Sequence, residues 1–522
     1  MIINKSTNRK HIIAIFLGLF LISFTACTKK FDALNTPQDQ IVADKVDITL
    51  LGQAFAESVF YGLCGDNQSF QRSESLFADE YAQYFGTIEP NFDSGNFTEV
   101  TSWTNRYYND VYSRALPQLF FVEQYTSQHA MPLENAIAKV WRVEVFHRIS
   151  DFFGPVIYSQ FGNAKTSVPY DSQEAVYHDF FTTLDSAVTV LKQQSGKNAF
   201  GTNDLVFNGD ANKWLAFANS LRLRLAVRVA YVDPALAKQQ AEKAIADGVM
   251  TDNTQNATVR CSANSLNFYA AITYIDEFRM TATMQSVMVG YNDPRISVYF
   301  DPAVSGGGYK GIRNGLPRVE KGTFLKDPYS FINTKWRPLA RGGTNPPMPV
   351  MQAAEVYFLK AEGALRGWNM GGTALDFYNQ GIRVSLMGTT TSTAPQIEAY
   401  VTSMNTPVAV ADKWNTPPMS DIPVNYEVAA GFERQLQQII TQKWIAIFPD
   451  GWEAWSERRR TGYPVGYPII QSFNPDINVN GMMRRLQLTT GEISNNLSAV
   501  VEARKLLNGP DKNYTKLWWD AK

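Results

Sequence analysis

The sequence predicts a mostly α fold in which helix pairs pack together and a loop-rich second half joins them. Three observations carry this. Residues 213–229, KWLAFANSLRLRLAVRV, place Trp214, Phe217, Leu221 and Leu225 on one stripe at helical spacing, with Arg224 and Arg228 on another face. Asp233-Pro234 then opens a partner helix that runs through Ala241 and Ile245 to Gly248. The same design returns at residues 355–366 (EVYFLKAEGALR) and 375–385 (LDFYNQGIRVS). Each pair occupies about 35 residues, close to the tetratricopeptide repeat length, and such pairs stack because one alone cannot bury its apolar face. The reading is a right-handed helical scaffold with the loops on its other side.

In chain order, residues 1–26 read as a targeting segment. Lys5, Arg9 and Lys10 precede an uncharged run over 12–22. That run is shorter than the ~20 residues a membrane span needs, which suits a signal peptide. Phe24-Thr25-Ala26-Cys27 looks like a bacterial lipobox, so Cys27 is the expected lipidation site and mature N-terminus. Several acyl chains there would exceed the two-signal threshold for stable anchoring. Residues 27–45 are the lipidated N-terminus and a polar tether, and 46–522 the functional domain. The mature chain keeps 45 basic against 49 acidic residues, a net charge of −4. No basic run argues for nucleic acid, and no second apolar stretch approaches spanning length.

Residues 47–63 and 72–86 are helix-like, the latter with Phe77, Tyr81, Tyr84 and Phe85. Residues 91–103 form a loop rich in Asn, Asp, Gly and Phe. Residues 133–150 are apolar on much of their circumference, as in a buried helix. Asp171 and Glu174 read as a capping box for a helix with Val176, Phe180, Leu184, Ala187 and Leu191 as its stripe. Residues 253–347 carry little helix signal, and 387–425 read as a long Thr-, Pro- and Ser-rich surface loop. GGGYKG at 306–311 matches G-x-G-x-x-G in form only, because Gly315 and Pro317 follow where a phosphate cradle needs a helix. Cys64 and Cys261 can pair or stay free, since nothing in the sequence places them together. The His residues have no zinc spacing, and no cofactor is expected. Asp476, Asn478 and Asn480 match the front of a calcium loop, but position twelve is Gln487 and not Glu.

The most distinctive stretch is 440–464, ITQKWIAIFPDGWEAWSERRRTGYP. Leu436, Ile440, Trp444 and Ile447 make one helical stripe, Pro449-Asp450-Gly451 breaks it, and a short helix carries Trp452 to Arg460. Its acids lead and its arginines trail, the order a helix dipole favours. Glu453 and Glu457 one turn apart invite a glycosidase reading. A carboxylate beside three arginines stays ionised, however, and is unsuited to acid work. Trp444, Glu453, Trp455, Arg458 and Arg459 are therefore expected to be structural.

This stretch resembles the C-terminal signature of the SusD/RagB family of outer-membrane nutrient-binding lipoproteins, in the branch ending EAW…RRTG.P. KWLAFANSLRLRLAVRV, DFFGPVIYS at 151–159, Asn292-Asp293-Pro294-Arg295 and Arg484-Arg485-Leu486 resemble family segments in the same order. After those last arginines the family's usual Tyr-Pro is Gln487-Leu488 here. The resemblance implies a SusD-like single domain, lipid-anchored at the outer membrane and displayed at the cell surface. Such a protein binds an oligosaccharide or peptide and hands it to a SusC-type TonB-dependent transporter, without catalysis. Family members bind ligand in the region of residues 84–103 and 291–336. The candidates there are Tyr84, Phe92, Asp93, Trp103, Tyr291, Tyr309 and Trp336, flat rings for sugar faces or peptide side chains with an acid to fix hydroxyls or amides. The competing reading is an exported α-helical glycoside hydrolase using loop carboxylates such as Asp93 or Glu99.

Overall fold

In the computed structural model the described residues are 46–522 without 64, 66, 164, 166, 263 and 264, and without the side chains of 67, 271 and 274. The expected leader, Cys27, the tether and Cys64 lie outside them. The chain divides into a unit Met1–Leu51, described only from 46, and a unit Gly52–Lys522 that holds everything below except the first turn of the first helix. Helix α1 is Ile48–Gly62, and α2 is Thr101–Asp110.

The scaffold consists of α3 (Leu116–Gln128), α4 (Pro132–Phe153), α5 (Gln173–Gln193), α6 (Ala211–Arg228) and α7 (Pro234–Asp247). It continues through α8 (Ala353–Leu365), α9 (Ala374–Thr389), α10 (Phe432–Ala446) and α11 (Gly451–Thr461). Each of α3 to α6 packs on its successor; α6 also packs on α8, and α8 on both α9 and α10. Trp214, Phe217, Leu221 and Leu225 of α6 are fully buried, as their periodicity requires.

Local chemistry fixes the helix starts. Asp210 Oδ1 accepts from the Asn212 and Lys213 N–H groups, Asp233 from Leu236, Thr373 from Asp376 and Asp450 from Glu453. For α5 the cap is Ser172, whose Oγ accepts from Ala175 N at 3.2 Å, and not Asp171. The Asp171 carboxylate turns back to the Tyr158 and Ser159 N–H groups at 3.2 and 2.7 Å.

The helix expected over 72–86 ends at Tyr81. Gln83 takes a positive φ of 59°, and the chain enters a strand. That strand, β1 (Phe85–Thr87), pairs antiparallel with β3 (Phe278–Met280) in the register Phe85↔Met280. β2 (Ala257–Val259) pairs with β6 (Met348–Met351), and β4 (Phe300–Asp301) with β5 (Phe331–Ile332). Short helices at Tyr269–Ile275 and Ala282–Gly290 interrupt the segment read as poor in helix. Ala394–Val401 interrupts the 387–425 loop. Gly306, Gly307 and Gly308 all have positive φ, so GGGYKG is a tight turn and not a helix entry.

Candidate functional site

The signature helix α11 lies in the interior, every residue of it buried. Its acids meet bases from two other helices, α6 and α10. Glu453 accepts from Lys443 Nζ at 2.7 Å and from Arg228, and Glu457 accepts from Arg228 Nη1 at 3.0 Å. Arg460 reaches both Glu362 and Glu457 at 2.6 Å, while Arg224 reaches Glu355 at 2.6 Å. Burial pushes the two signature carboxyls up, but the surrounding cations outweigh it. Arg228, Lys443 and Arg224 hold Glu453 well below the usual carboxylate range; Arg460, Lys443 and Arg228 hold Glu457 at about 2. Neither acid can act as a proton donor near neutral pH. Trp455 donates Nε1–H to Met483 O at 2.9 Å under the Arg459 guanidinium, 3.7 Å above its ring, and Trp444 donates to Ala82 O at 2.9 Å.

The loop candidates do not gather in one place. Tyr84 is fully buried, stacks on Trp444 and donates its hydroxyl to Trp444 O at 2.5 Å. Tyr291 is buried with its hydroxyl on Ile422 O, and Trp336 is buried against Tyr269. These three rings are core: the Tyr84 and Tyr291 hydroxyls are satisfied by backbone carbonyls, and Trp336 packs on another ring although its indole N–H finds no partner among the described residues. Phe92 and Trp103 remain half-buried and meet edge to face at 5.6 Å, while Phe77 backs Trp103 at 6.1 Å. Asp93 is held by Arg318, whose Nε donates at 3.0 Å. Tyr309 is half-buried next to Lys310.

Lys310 leads to an open cleft of about 760 Å³ whose lining includes no residue of helices α3 to α11. Trp414 and Tyr329, both half-buried, line it with exposed Phe324 and Val319. The Trp414 indole is held in place. Its N–H of the main chain donates to Asp412 Oδ1 at 3.0 Å, and the Lys413 and Arg313 cations sit 4.7 and 5.4 Å from the ring centroid. Polar groups surround the rings: Lys413 pairs with Glu320 at 2.5 Å, and Gln285 Oε1 accepts from Gly311 N at 2.7 Å. Fixed aromatic faces ringed by directional polar groups can take the apolar face and the hydroxyl edge of a sugar together.

Trp414, Tyr329 and Phe324 are absent from the sequence-derived candidates. The signal for Trp414 was a tryptophan in a polar, Pro-rich run, KWNTPP, much as Trp103 stands at the end of the polar loop 91–103. Glu99 accepts from Gln487 N and Asn513 Nδ2. Asp476 faces Lys512 Nζ at 3.2 Å, and Asn478 Oδ1 accepts from Asn480 N at 2.9 Å, so these residues close a turn. Among the described residues no group of three or more His, Cys, Asp or Glu gathers as a metal site. Cys261 is a half-buried free thiol.

No curated protein matches the chain. Among solved structures, a chitin-binding SusD homologue from Flavobacterium johnsoniae is similar at 34% identity, covering 90% of this chain and 98% of that one, with a TM-score of 0.84. A SusD homologue from Bacteroides uniformis shares 32% identity over 91% of this chain and 100% of its own, with a TM-score of 0.82. One from Bacteroides thetaiotaomicron shares 31% over 90% and 99%, with a TM-score of 0.81. The family model described as "SusD-like: Susd and RagB outer membrane lipoprotein" matches residues 31–520. With that span, the paired-helix scaffold and the buried EAW…RRTG.P helix in hand, the chain belongs to the SusD/RagB family of outer-membrane lipoproteins.

Proposed function

We propose that the protein is a cell-surface lipoprotein, anchored through Cys27, that binds an oligosaccharide and delivers it to a SusC-type TonB-dependent transporter. The observation that carries the reading is the open cleft, where Trp414 and Tyr329 stand among Gln285, Lys310 and the Glu320–Lys413 pair. Family membership supports the lipid anchor and the transporter partner. The Flavobacterium johnsoniae relative makes chitooligosaccharides the first probe. A binding role without catalysis is favoured over hydrolysis because neither Asp93, held by Arg318, nor Glu99, held by Gln487 and Asn513, lines the cleft. Among the described residues no helix is long and apolar enough to cross a membrane.

Titration of the purified soluble domain with chitooligosaccharides should give binding without product release. Trp414→Ala should weaken it by about 1–3 kcal/mol, the range of an aromatic anchor, with Tm nearly intact. Trp103→Ala should cost a similar amount where the ligand reaches the Phe92–Trp103 pair. Unchanged affinity alongside a large loss of Tm would assign Trp103 to the core. Turnover of the saccharide would replace the binding reading with the hydrolase.

Cys27→Ser should move the protein from the membrane to the soluble periplasmic fraction, since no other anchor is proposed. If the variant stays with membranes to the same extent as the wild type, the lipid anchor is not at Cys27.

A further inference from the structure

A second cavity, of about 310 Å³, shares no lining residue with the aromatic cleft. Its walls come from α11 at Arg458, from Tyr81 and Gln83, and from residues 465–469 and 479–483. Its charged lining residues are Glu80 and Arg458.

Arg458 differs from its neighbours on the helix. Arg460 is matched by two carboxylates, and Arg459 has its donors engaged by the Asp151, Arg484 and Trp455 carbonyls and by Ser456 Oγ. Arg458 is only 7% exposed. Its Nε donates to Pro464 O at 3.3 Å and its Nη1 to Tyr81 O, and Nη2 has no hydrogen-bond partner among the described residues. No carboxylate there lies within ion-pair reach of it. Burial, helped by Arg484, pushes its pKa down to about 10. A buried guanidinium without a counter-charge is costly, and an anion that enters the cavity relieves that cost. Gly466 keeps the approach open, because a Cβ there would lie 3.0 Å from Arg458 Nη2 and 2.1 Å from Gln83 Oε1.

We propose that this cavity is a second binding site, for a small organic carboxylate whose anionic end sits on Arg458 and whose apolar body lies against Met419, Met483 and Ile469. The walls select the class. Thioether and aliphatic surface suits a carbon skeleton. The volume is at the small end of ligand sites and fits a molecule of acyl-amino-acid or dipeptide size. Glu80, which burial pushes up to about 7 against the lowering effects of Ser94 and Lys321, disfavours a second negative charge, so a monocarboxylate is preferred over a phosphate dianion.

The probes are N-acetylleucine and its uncharged analogue N-acetylleucinamide, followed by thermal shift and calorimetric titration of the soluble domain. The acid should raise Tm and bind, and the amide should bind at least about tenfold more weakly, the loss of one charge-assisted hydrogen bond. Arg458→Gln should abolish the difference between the two. Should that variant fail to fold, Met419→Trp decides: Met419 is a half-buried loop residue, and a larger ring there fills the cavity and should abolish binding of the acid. Equal binding of acid and amide, full binding by Met419→Trp, or no binding of the acid at all would overturn the proposal. Chitooligosaccharide affinity of Met419→Trp, read in the same samples, should match wild type, which separates this site from the aromatic cleft.

Discussion

Glu453→Ala is expected to lower the stability of the protein by about 3–5 kcal/mol, the cost of stripping a buried charge network of one partner. The carboxylate is 3% exposed and stands among Arg228, Lys443 and Arg224, so its loss leaves three cations short of one counter-charge in the interior. In a chain of this length the entropy of unfolding is near 1 kcal/mol per kelvin, so the Tm should fall by roughly 3–5 °C in a calorimetric scan. Acid should have the same effect on the wild type. Both signature carboxyls have folded pKa values depressed below the usual carboxylate range. Their contribution is therefore complete above the unfolded value of about 4.5 and is lost as pH falls towards about 2. A Glu453→Ala protein whose Tm matches wild type, or whose acid transition is unchanged, would remove the network from the stability of the fold.

Trp455→Ala should cost about 3–5 kcal/mol as well, for a different reason. The ring is fully buried between Tyr81 at 5.2 Å and Phe152 at 5.5 Å, with the Arg459 guanidinium over its face. Truncation opens a cavity, leaves Met483 O without its donor and removes the surface on which a carboxylate-free arginine rests. Saccharide affinity of the protein that remains folded should not change, because Trp455 does not line the aromatic cleft. Intact melting with abolished saccharide binding would move α11 into the ligand site.

The scaffold was legible because its signal is periodic. Trp214, Phe217, Leu221 and Leu225 repeat at helical spacing, and Asp233 is a short polar cap at the expected start. Arg224 and Arg228 were legible as a shared face, but their partners were not. Arg228 meets Glu453 and Glu457 at sequence separations of 225 and 229 residues, and no local pattern encodes such a pairing. The two- and three-residue strands were invisible for the same reason, since β1 exists only through its register with β3. The binding cleft was the least legible part. A tyrosine reads alike whether its ring stays half-buried at the cleft, like Tyr329, or folds inward to reach a carbonyl, like Tyr84 and Tyr291. What separates them is tertiary packing.

The charge network also sets an order of events in biogenesis. Arg224 and Arg228 emerge in the first half of the chain, while Lys443, Glu453 and Glu457 follow near its end. Until those arrive, closing the scaffold around α6 leaves Arg228 with Asp151 alone at 3.5 Å and Arg224 with Glu144 at 3.8 Å, so an N-terminal fragment gains less by compacting there. Native contacts of such long range also make folding slow. The interior around α6 is therefore completed only when the last hundred residues of the chain are in place.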